Sequence, residues 1–342
     1  MLRYAGVCIF LFLDQKGGKG MKRFVIFIVL MGTVVLAWNG HDSLTYLIVT
    51  STLSNAQEMV EITPYNYVEK RVYNTEKMIL EDYCGQFEKQ HPFAWKGAIL
   101  PPDPEPVDGR VPVWQILTIY SFEPDLGMDE GLNLSPLQGI IGGSQGVRHM
   151  KYNILMFEFF EGSQSFYYFV DMSRKAFENG DRYWGYRFLA RAIHYLEDLS
   201  QPYHNTPGSL SEILQVAFDS SVAEMLFNAH YSYDEYLAYL LYNEDKETIA
   251  AVTEAEPRFV RNNRELIQRV RLIGLNHFGA VHDELKRLFQ TTLMNRQLTH
   301  EDFALREDDT SLLKTYTVEI VSQFSSLLKG FLLSFLKQVG EI

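Results

Sequence analysis

Helical patterns bounded by proline dominate this chain from Lys151 to its C-terminus. Phe157 to Glu178 and Asp181 to Leu199 carry apolar residues at helical spacing, and the second stretch ends at Ser200-Gln201-Pro202. Proline ends a helix because it has no amide hydrogen and its ring collides with the preceding turn. The pattern therefore predicts an all-α fold. Further helical patterns cover about residues 209–243, 257–290 and 310–338.

The chain before Lys151 shows shorter helical patterns and more interruptions. His41 to about Leu53 is an apolar stretch of helical length, and residues 64–90 suggest one or two further helices. Residues 98–113 hold five prolines, which predicts a long loop or an arm over the surface rather than a continuous helix. Glycines at 139–146 predict turns, and strand signals are weak throughout.

Length and composition favour one globular body. The 342 residues, 46% of them hydrophobic, supply enough apolar material for one large core or two modest ones. We expect a single multi-helix domain over residues 38–342, in which residues 245–342 either join the main body or form a helical extension. The net charge of −12 gives no general attraction to nucleic acid or to an anionic membrane. The two cysteines imply no disulfide framework.

The N-terminal region has the pattern of an export signal. Two basic residues precede an apolar run, Phe24 to Ala37, which at about fourteen residues is short for a membrane span and typical of a signal-peptide core. Residues 21–37 are therefore predicted to be a signal peptide cleaved after Ala37, with an uncleaved anchor as the alternative. Cleavage would make Trp38 the mature N-terminus and would place the protein outside the cytoplasm, secreted or periplasmic. We interpret residues 1–20, which precede a natural start at Met21, as a mis-called start.

Two His-x-x-x-Asp pairs are candidate metal ligands. His194 and Asp198 lie in AIHYLEDLSQPYH. His230 and Asp234 repeat the spacing in HYSYDEY. On a helix this spacing puts both side chains on one face, where an imidazole and a carboxylate can share a zinc ion. His204 follows the proline break, so its side chain can be aimed separately. A single such pair is more often a hydrogen-bonded surface or core pair, so the wider arrangement matters.

Three further residues extend the set of candidate ligands. His149 lies in SQGVRHMKY, after the glycine-rich turn and at the predicted start of a helix. Asp125 lies in the loop-like acidic stretch SFEPDLGMDE, where Glu123 and Asp129 compete with it for the same role. His41 lies three residues after the predicted mature N-terminus.

Other titratable residues near these positions are given plainer interpretations. Glu235 competes with Asp234, but only Asp234 lies one helical turn from His230. The remaining histidines belong to no such pattern and are interpreted as surface or packing residues. They are His91, His277, His282 and His300.

The segment HYLEDLSQPYH resembles the His-Tyr-Leu-Gly-Asp-x-x-Gln-Pro-x-His segment of the zinc-dependent phospholipase C and P1/S1-type nuclease superfamily. A mature N-terminal tryptophan is a second match, because in that family the free α-amine and carbonyl of this residue bind zinc. The resemblance spans about Trp38 to Asp234 and implies the all-α fold of that family, up to three zinc ions and hydrolysis of a phosphate ester. Two departures are that Glu197 stands where the family has glycine, and that His41 follows Trp38 more closely.

The resemblance implies three zinc sites when the family's ligands are carried over by position. The ligands of the first site would be Asp125, His149, His194 and Asp198. Those of the second site would be the amine and carbonyl of Trp38, His41 and a shared Asp198. Those of the third site would be His204, His230 and Asp234. Asp198 would bridge two metals, because the two oxygens of a carboxylate can bind separate ions. Asp125 would also be the catalytic residue that orients or deprotonates the attacking water.

These inferences predict an exported zinc-dependent phosphodiesterase. The local sequence Gly146-Val147-Arg148-His149 looks nearer the phospholipase C branch, which implies a phospholipid or other phosphodiester substrate and peripheral membrane contact. The alternative of a single-strand nuclease needs aromatic platforms for bases.

Aromatic residues near His149 bear on that alternative. Tyr152, Phe157, Phe159 and Phe160 are expected on a helix there, where core packing is the more common role of such residues. A non-catalytic zinc-binding surface module is a third possibility. It is disfavoured because the ligand set falls short of the about twelve bonds that three tetrahedral zinc ions need.

Overall fold

The computed structural model describes residues 40–67, 84–90, 99–132, 134, 145–154, 157–216 and 218–342. Trp38, the predicted signal peptide and residues 1–20 lie outside these ranges, as does His91. Within them the protein is mostly helical with two short two-stranded sheets, so the predicted all-α class is confirmed.

The elements are named here in chain order. The helices are α1 (His41–Thr52), α2 (Phe87–Gln90), α3 (Val113–Ser121), α4 (Gln145–His149), α5 (Gly162–Glu178), α6 (Arg182–Ser200), α7 (Pro202–Asn205), α8 (Leu210–Gln215), α9 (Ser220–Tyr242), α10 (Lys246–Thr253), α11 (Asn263–Leu293), α12 (His300–Ala304) and α13 (Ser311–Val339). Two 3-10 helices cover Glu123–Leu126 and Glu307–Thr310. The strands are β1 (Met59–Glu61), β2 (Arg110–Pro112), β3 (Tyr152–Ile154) and β4 (Phe157–Phe159).

Helix α6 lies at the centre of the protein. Every residue from Tyr183 to Ser200 is buried, because α5, α3 and α11 all pack against this helix. Asp181 caps its first turn by accepting a hydrogen bond from the backbone amide of Trp184. The helix ends at Gln201, and Pro202 begins the next short helix, as the proline break predicts. A fully buried helix that carries charged side chains needs partners for them, since an unpaired buried charge is costly.

The helix predicted from Phe157 to Glu178 begins later than expected. Residues 157–159 form β4, which pairs antiparallel with β3, and the helix starts at Gly162. The expected helical placement of Tyr152, Phe157, Phe159 and Phe160 is therefore wrong. Phe160 has a φ of 73°, a left-handed conformation that breaks a right-handed helix, and its ring packs on Tyr152 at 4.9 Å between centroids.

The proline-rich segment is a loop only in part. Residues 99–106 have no regular structure, but Arg110–Pro112 forms β2 and pairs antiparallel with β1, which is Met59–Glu61. The helix expected within residues 64–90 is seen only at Phe87–Gln90, because residues 64–67 are not helical and residues 68–83 lie outside the described ranges.

The C-terminal helices pack against the central helix α6 and against helices on either side of it in the sequence. Helix α11 contacts both α6 and α7, and α13 contacts α6, α1 and α10. Gly274 allows the close approach of α11, because a Cβ there would meet the backbone oxygens of Ser200 at 3.0 Å and Gln201 at 3.1 Å. Among the described residues, the segment Glu307–Val339 alone is long and apolar enough to cross a membrane. Its most apolar window is 61% buried in the protein, as is usual for a core helix.

Candidate metal centre

Three elements bring four candidate ligands of the first site together. Helix α6 carries His194 and Asp198 on one face, the end of α4 carries His149, and the 3-10 helix after α3 carries Asp125. The imidazoles and Asp198 are buried, and the side chain of Asp125 is 2% exposed. His149 is the last residue of α4, so its expected position at the start of a helix is wrong.

The donor atoms of these four residues converge. Nε2 of His194 lies 2.9 Å from Nδ1 of His149, 3.2 Å from Oδ2 of Asp198 and 3.3 Å from Oδ1 of Asp125. Nδ1 of His149 lies 2.9 Å from Oδ2 of Asp198 and 3.6 Å from Oδ1 of Asp125. Zinc–ligand bonds of about 2.0–2.1 Å in a tetrahedron place the ligand atoms about 3.3 Å apart. The four residues can therefore hold one metal ion.

His41, at the first turn of α1, faces the other side of the same carboxylates. Its Nε2 lies 3.6 Å from Oδ1 of Asp198 and 3.9 Å from Oδ2 of Asp125. Each carboxylate thus turns one oxygen toward the first site and the other toward His41. His41, Asp125 and His194 also form a group whose donor atoms lie within 4.8 Å of one another. This arrangement suits a second metal; Trp38, its other predicted ligand, lies outside the described residues.

The third group is built from α7 and α9. His204 lies on α7, directly after the proline break, and His230 and Asp234 lie one turn apart on α9. Their donor atoms lie within 4.8 Å of one another. Nδ1 of His204 also lies 3.3 Å from Oδ1 of Asp198. Asp198 therefore stands between all three groups, and each of them can hold a metal ion.

Several buried atoms of this cluster that could bind metal have no hydrogen-bond partner among the residues that the structure describes. They are both carboxylate oxygens of Asp125, Oδ1 of Asp198 and Nδ1 of His204. A buried polar atom without a partner costs about 1–3 kcal/mol. Bound cations would satisfy these atoms, so the residues present fit a multi-metal centre.

The ring nitrogens that point away from the first site are held by other groups. Nδ1 of His194 donates to the backbone oxygen of Ser121 at 2.8 Å. Nε2 of His149 lies 3.1 Å from Oδ2 of Asp129, which also accepts from Tyr195 at 3.0 Å. Outer contacts of this kind orient the ring and direct the remaining nitrogen at the metal.

The pKa values of the imidazoles reflect the burial and the excess of carboxylates. Burial lowers the pKa of His41 to about 3 and that of His204 to about 4, so both rings are neutral at pH 7, the form that binds metal. Burial also disfavours the charged form of His149, but the carboxylates of Asp198 and Asp129 raise its pKa to about 10. The negative charge that retains a proton on His149 is the charge that would attract a divalent cation.

The residues that competed with the predicted ligands have other partners. Asp129 contacts Nε2 of His149, the ring nitrogen that faces away from the first site. It also pairs with Arg148 at 2.8 Å. Glu123 is buried between Arg187 and Arg191. This geometry favours Asp125 over both as the residue on the metal side.

The structure also shows the partners of Glu235 and of the histidines outside the cluster. Glu235 pairs with His300 at 3.1 Å rather than with His230. His277 lies 3.2 Å from Glu319. His282 is a buried packing residue that bonds to Tyr203 and Glu212.

Sequence reasoning missed the residues that support the ligands. Asp129 was considered only as a competing ligand, Glu197 only as a departure from the family's glycine, and Gln201 only as part of a motif. Each contacts a predicted ligand: His149, His41 and Asp234 respectively. Only the register of Gln201 in the motif could have signalled such a role.

Comparison of the chain with protein-family models and with curated proteins gives no match.

Proposed function

We propose that this protein is a zinc-dependent phosphoric ester hydrolase of the phospholipase C/P1 nuclease type. The observation that carries the proposal is the position of Asp198. Its Oδ2 lies 2.9 Å from His149 and its Oδ1 lies 3.3 Å from His204, so a single carboxylate adjoins the donor groups on both sides. Such a shared carboxylate is what a cluster of neighbouring metals requires.

The choice of zinc rests on the ligand types and on the motif. Imidazole and carboxylate are ligands that zinc accepts in catalytic sites. When bound, zinc acts as a Lewis acid and lowers the pKa of a coordinated water to about 7. We assign Asp125 to orient the attacking water and to accept its proton at a carboxylate oxygen. His149, His194 and Asp198 hold the centre in place, and burial excludes bulk water from their ligand atoms.

An apolar surface favours a phospholipid as the substrate. Leu210 and Leu214, one turn apart on α8, are 52% and 54% exposed, and Phe218, just beyond the helix, is 92% exposed. This segment joins His204 to His230, so it belongs to the connection between two ligands of the third group. Exposed large apolar side chains on the segment between two candidate ligands suit contact with a lipid surface. We propose a zwitterionic phospholipid, because the acidic chain would be repelled by an anionic one.

One observation supports the nuclease alternative. The ring of Tyr231 stacks on His230 with centroids 5.0 Å apart and an interplanar angle of 13°. An aromatic ring beside a metal-ligand group is a platform on which a base can stack. A single-strand nuclease is therefore the second candidate function, with nucleic acid as its substrate only. Export with cleavage near Ala37 belongs to both candidates.

A hydrolysis screen on purified mature protein tests the proposal. The substrates are a chromogenic phosphocholine ester, phosphatidylcholine vesicles, single-stranded DNA and RNA, each with and without a chelator. We expect hydrolysis of the phosphocholine ester and the vesicles, its loss on chelation and its recovery on adding Zn²⁺. Hydrolysis of the polynucleotides alone would favour the nuclease candidate. Activity that survives exhaustive chelation would overturn the metal mechanism, and hydrolysis of no substrate by zinc-loaded protein would favour the binding module.

A further inference from the structure

Glu197 occupies an unusual position for a carboxylate. It precedes Asp198 on the central helix α6, where the resembling family has glycine, and it is fully buried. Its Oε2 is in short contact with Nδ1 of His41, and its Oε1 accepts a hydrogen bond of 2.8 Å from Oγ1 of Thr45. Because Thr45 lies one turn after His41, this one carboxylate joins α6 to two successive turns of α1.

The carboxyl group of Glu197 is directed at His41. Two other buried carboxylates near the metal centre have cationic partners, Glu123 with two arginines and Asp129 with Arg148. For Glu197, His41 is the one ionisable partner within ion-pair distance in the part of the chain that the structure describes. Thr45 supplies a neutral hydroxyl that donates to the other carboxyl oxygen and holds the group in place.

This contact determines how His41 meets the metal centre. A proton on Nδ1 that is donated to Glu197 leaves the lone pair on Nε2, the atom that lies 3.6 Å from Oδ1 of Asp198. A carboxylate behind a ligating imidazole fixes its tautomer and raises its basicity. A glycine at position 197 offers neither effect.

We infer that Glu197 is a positioning residue that orients His41 and strengthens metal binding at the His41 site alone. The inference rests on the metal centre proposed above. Carboxylates that hydrogen-bond to a metal-ligating histidine contribute about 10–100-fold to metal affinity. We expect a contribution of this size from Glu197. The competing explanation is that Glu197 stabilises the packing of α1 against α6 and has no effect on metal binding.

The experiment measures metal binding by the full mature chain. Wild-type protein and Glu197→Gln are dialysed against buffers of fixed free Zn²⁺, and bound zinc is counted by mass spectrometry. The same proteins are loaded with Co²⁺, whose absorption reports each site's ligands. We expect Glu197→Gln to lose one metal at 10–100-fold higher free zinc than wild type, with the other sites unchanged. Glu284→Gln, a buried carboxylate paired with Arg287, is the matched control and should bind metal like wild type.

The outcomes separate this inference from the proposed function. A wild-type protein that binds no metal would refute the metal centre itself. A wild type that binds its metals, with a Glu197→Gln protein of equal affinity and spectrum at every site, would overturn only the role of Glu197. If Glu197→Gln does not fold, Thr45→Val retains the carboxylate but removes its hydrogen bond. We then expect a few-fold weakening at the same single site, and an unchanged affinity would count against the inference.

Discussion

The side-chain amide of Gln201 donates a hydrogen bond of 2.6 Å to Oδ1 of Asp234. The same side chain caps α7, since its Oε1 accepts the backbone amide of His204 at 3.1 Å. One residue at the corner after α6 therefore positions two ligands of the third group, one on α7 and one on α9. This explains why glutamine directly precedes the proline at this break.

Replacing Gln201 is expected to weaken the third metal site. Gln201→Ala leaves Asp234 without its donor and removes the cap of α7, so the free energy of unfolding should fall by about 1–3 kcal/mol. The affinity of one metal should fall by about 10–100-fold. Urea denaturation and zinc titration measure the two effects. The exposed residue Gln338 provides the control, and equal behaviour of Gln201→Ala and Gln338→Ala would contradict the role given to Gln201.

Asp198 is expected to affect more than one metal. In Asp198→Asn one oxygen is replaced by an amide nitrogen, which is a poor metal ligand, so bridging is lost. We expect the protein to bind at least one metal fewer than wild type and to lose hydrolytic activity. Metal content by mass spectrometry checks this, with Asp308→Asn as a surface control. An unchanged metal content would argue against the bridge.

The close approach of α11 to the metal-binding corner depends on Gly274. Gly274→Ala would place a Cβ 3.0 Å from the backbone oxygen of Ser200 and 2.6 Å from Nδ2 of Asn205. Overpacking of this kind costs about 1–3 kcal/mol of unfolding free energy. Gly279→Ala on the same helix meets nothing within 4 Å and should stabilise the protein by up to about 1 kcal/mol. Urea denaturation of both variants at one free zinc concentration tests the opposite signs.

The ion network of Glu212 should make stability depend on acidity. Burial raises the pKa of Glu212, but hydrogen bonds from His282, Lys286 and Ser209 outweigh this effect and hold the pKa well below its ordinary value. A carboxyl with a depressed pKa in the folded state stabilises the protein above its unfolded pKa of about 4.3, and this stabilisation is lost as the pH falls toward the folded value.

The corresponding experiment compares Glu212→Gln with wild type by urea denaturation between pH 7 and pH 2. We expect a deficit of about 1–3 kcal/mol at pH 7 that shrinks steadily below about pH 4.3. Glu224→Gln, which alters an exposed carboxyl on α9, should change stability little at either pH. A deficit of Glu212→Gln that stays constant with pH would show that the charge of Glu212 is not the cause.

The exposed apolar residues of α8 should matter only at a lipid surface. Leu214→Ser and Phe218→Ser remove apolar area from side chains that are 54% and 92% exposed, so folding should be little affected. Binding to phosphatidylcholine vesicles, measured by sedimentation, should fall by several-fold, while hydrolysis of a water-soluble phosphocholine ester stays at the wild-type rate. Leu305→Ser, at a residue that is 85% exposed, is the control. Equal loss on both substrates would refute a docking role.

Much of the helical framework could be predicted because helices are indicated by local patterns in the sequence. The spacing of apolar residues and the proline at 202 predicted α6 and its end, and His41 to about Leu53 predicted α1. The hairpin of β3 and β4 was missed, since a pair of three-residue strands has too short a pattern to separate from a helical one. The strand at Arg110–Pro112 was missed because its partner, β1, lies far away in the sequence.

The sequence by itself determined that His194 and Asp198 share one helix face, because a four-residue interval on a helix places both side chains there whatever the rest of the chain does. It also determined that the proline break would let His204 be aimed separately. Only the tertiary structure decided which oxygen of Asp125 and Asp198 faces which imidazole, and that Asp129 and Glu197 lie behind His149 and His41. Those contacts join residues distant in sequence, and their geometry depends on how α1, α4 and α6 pack.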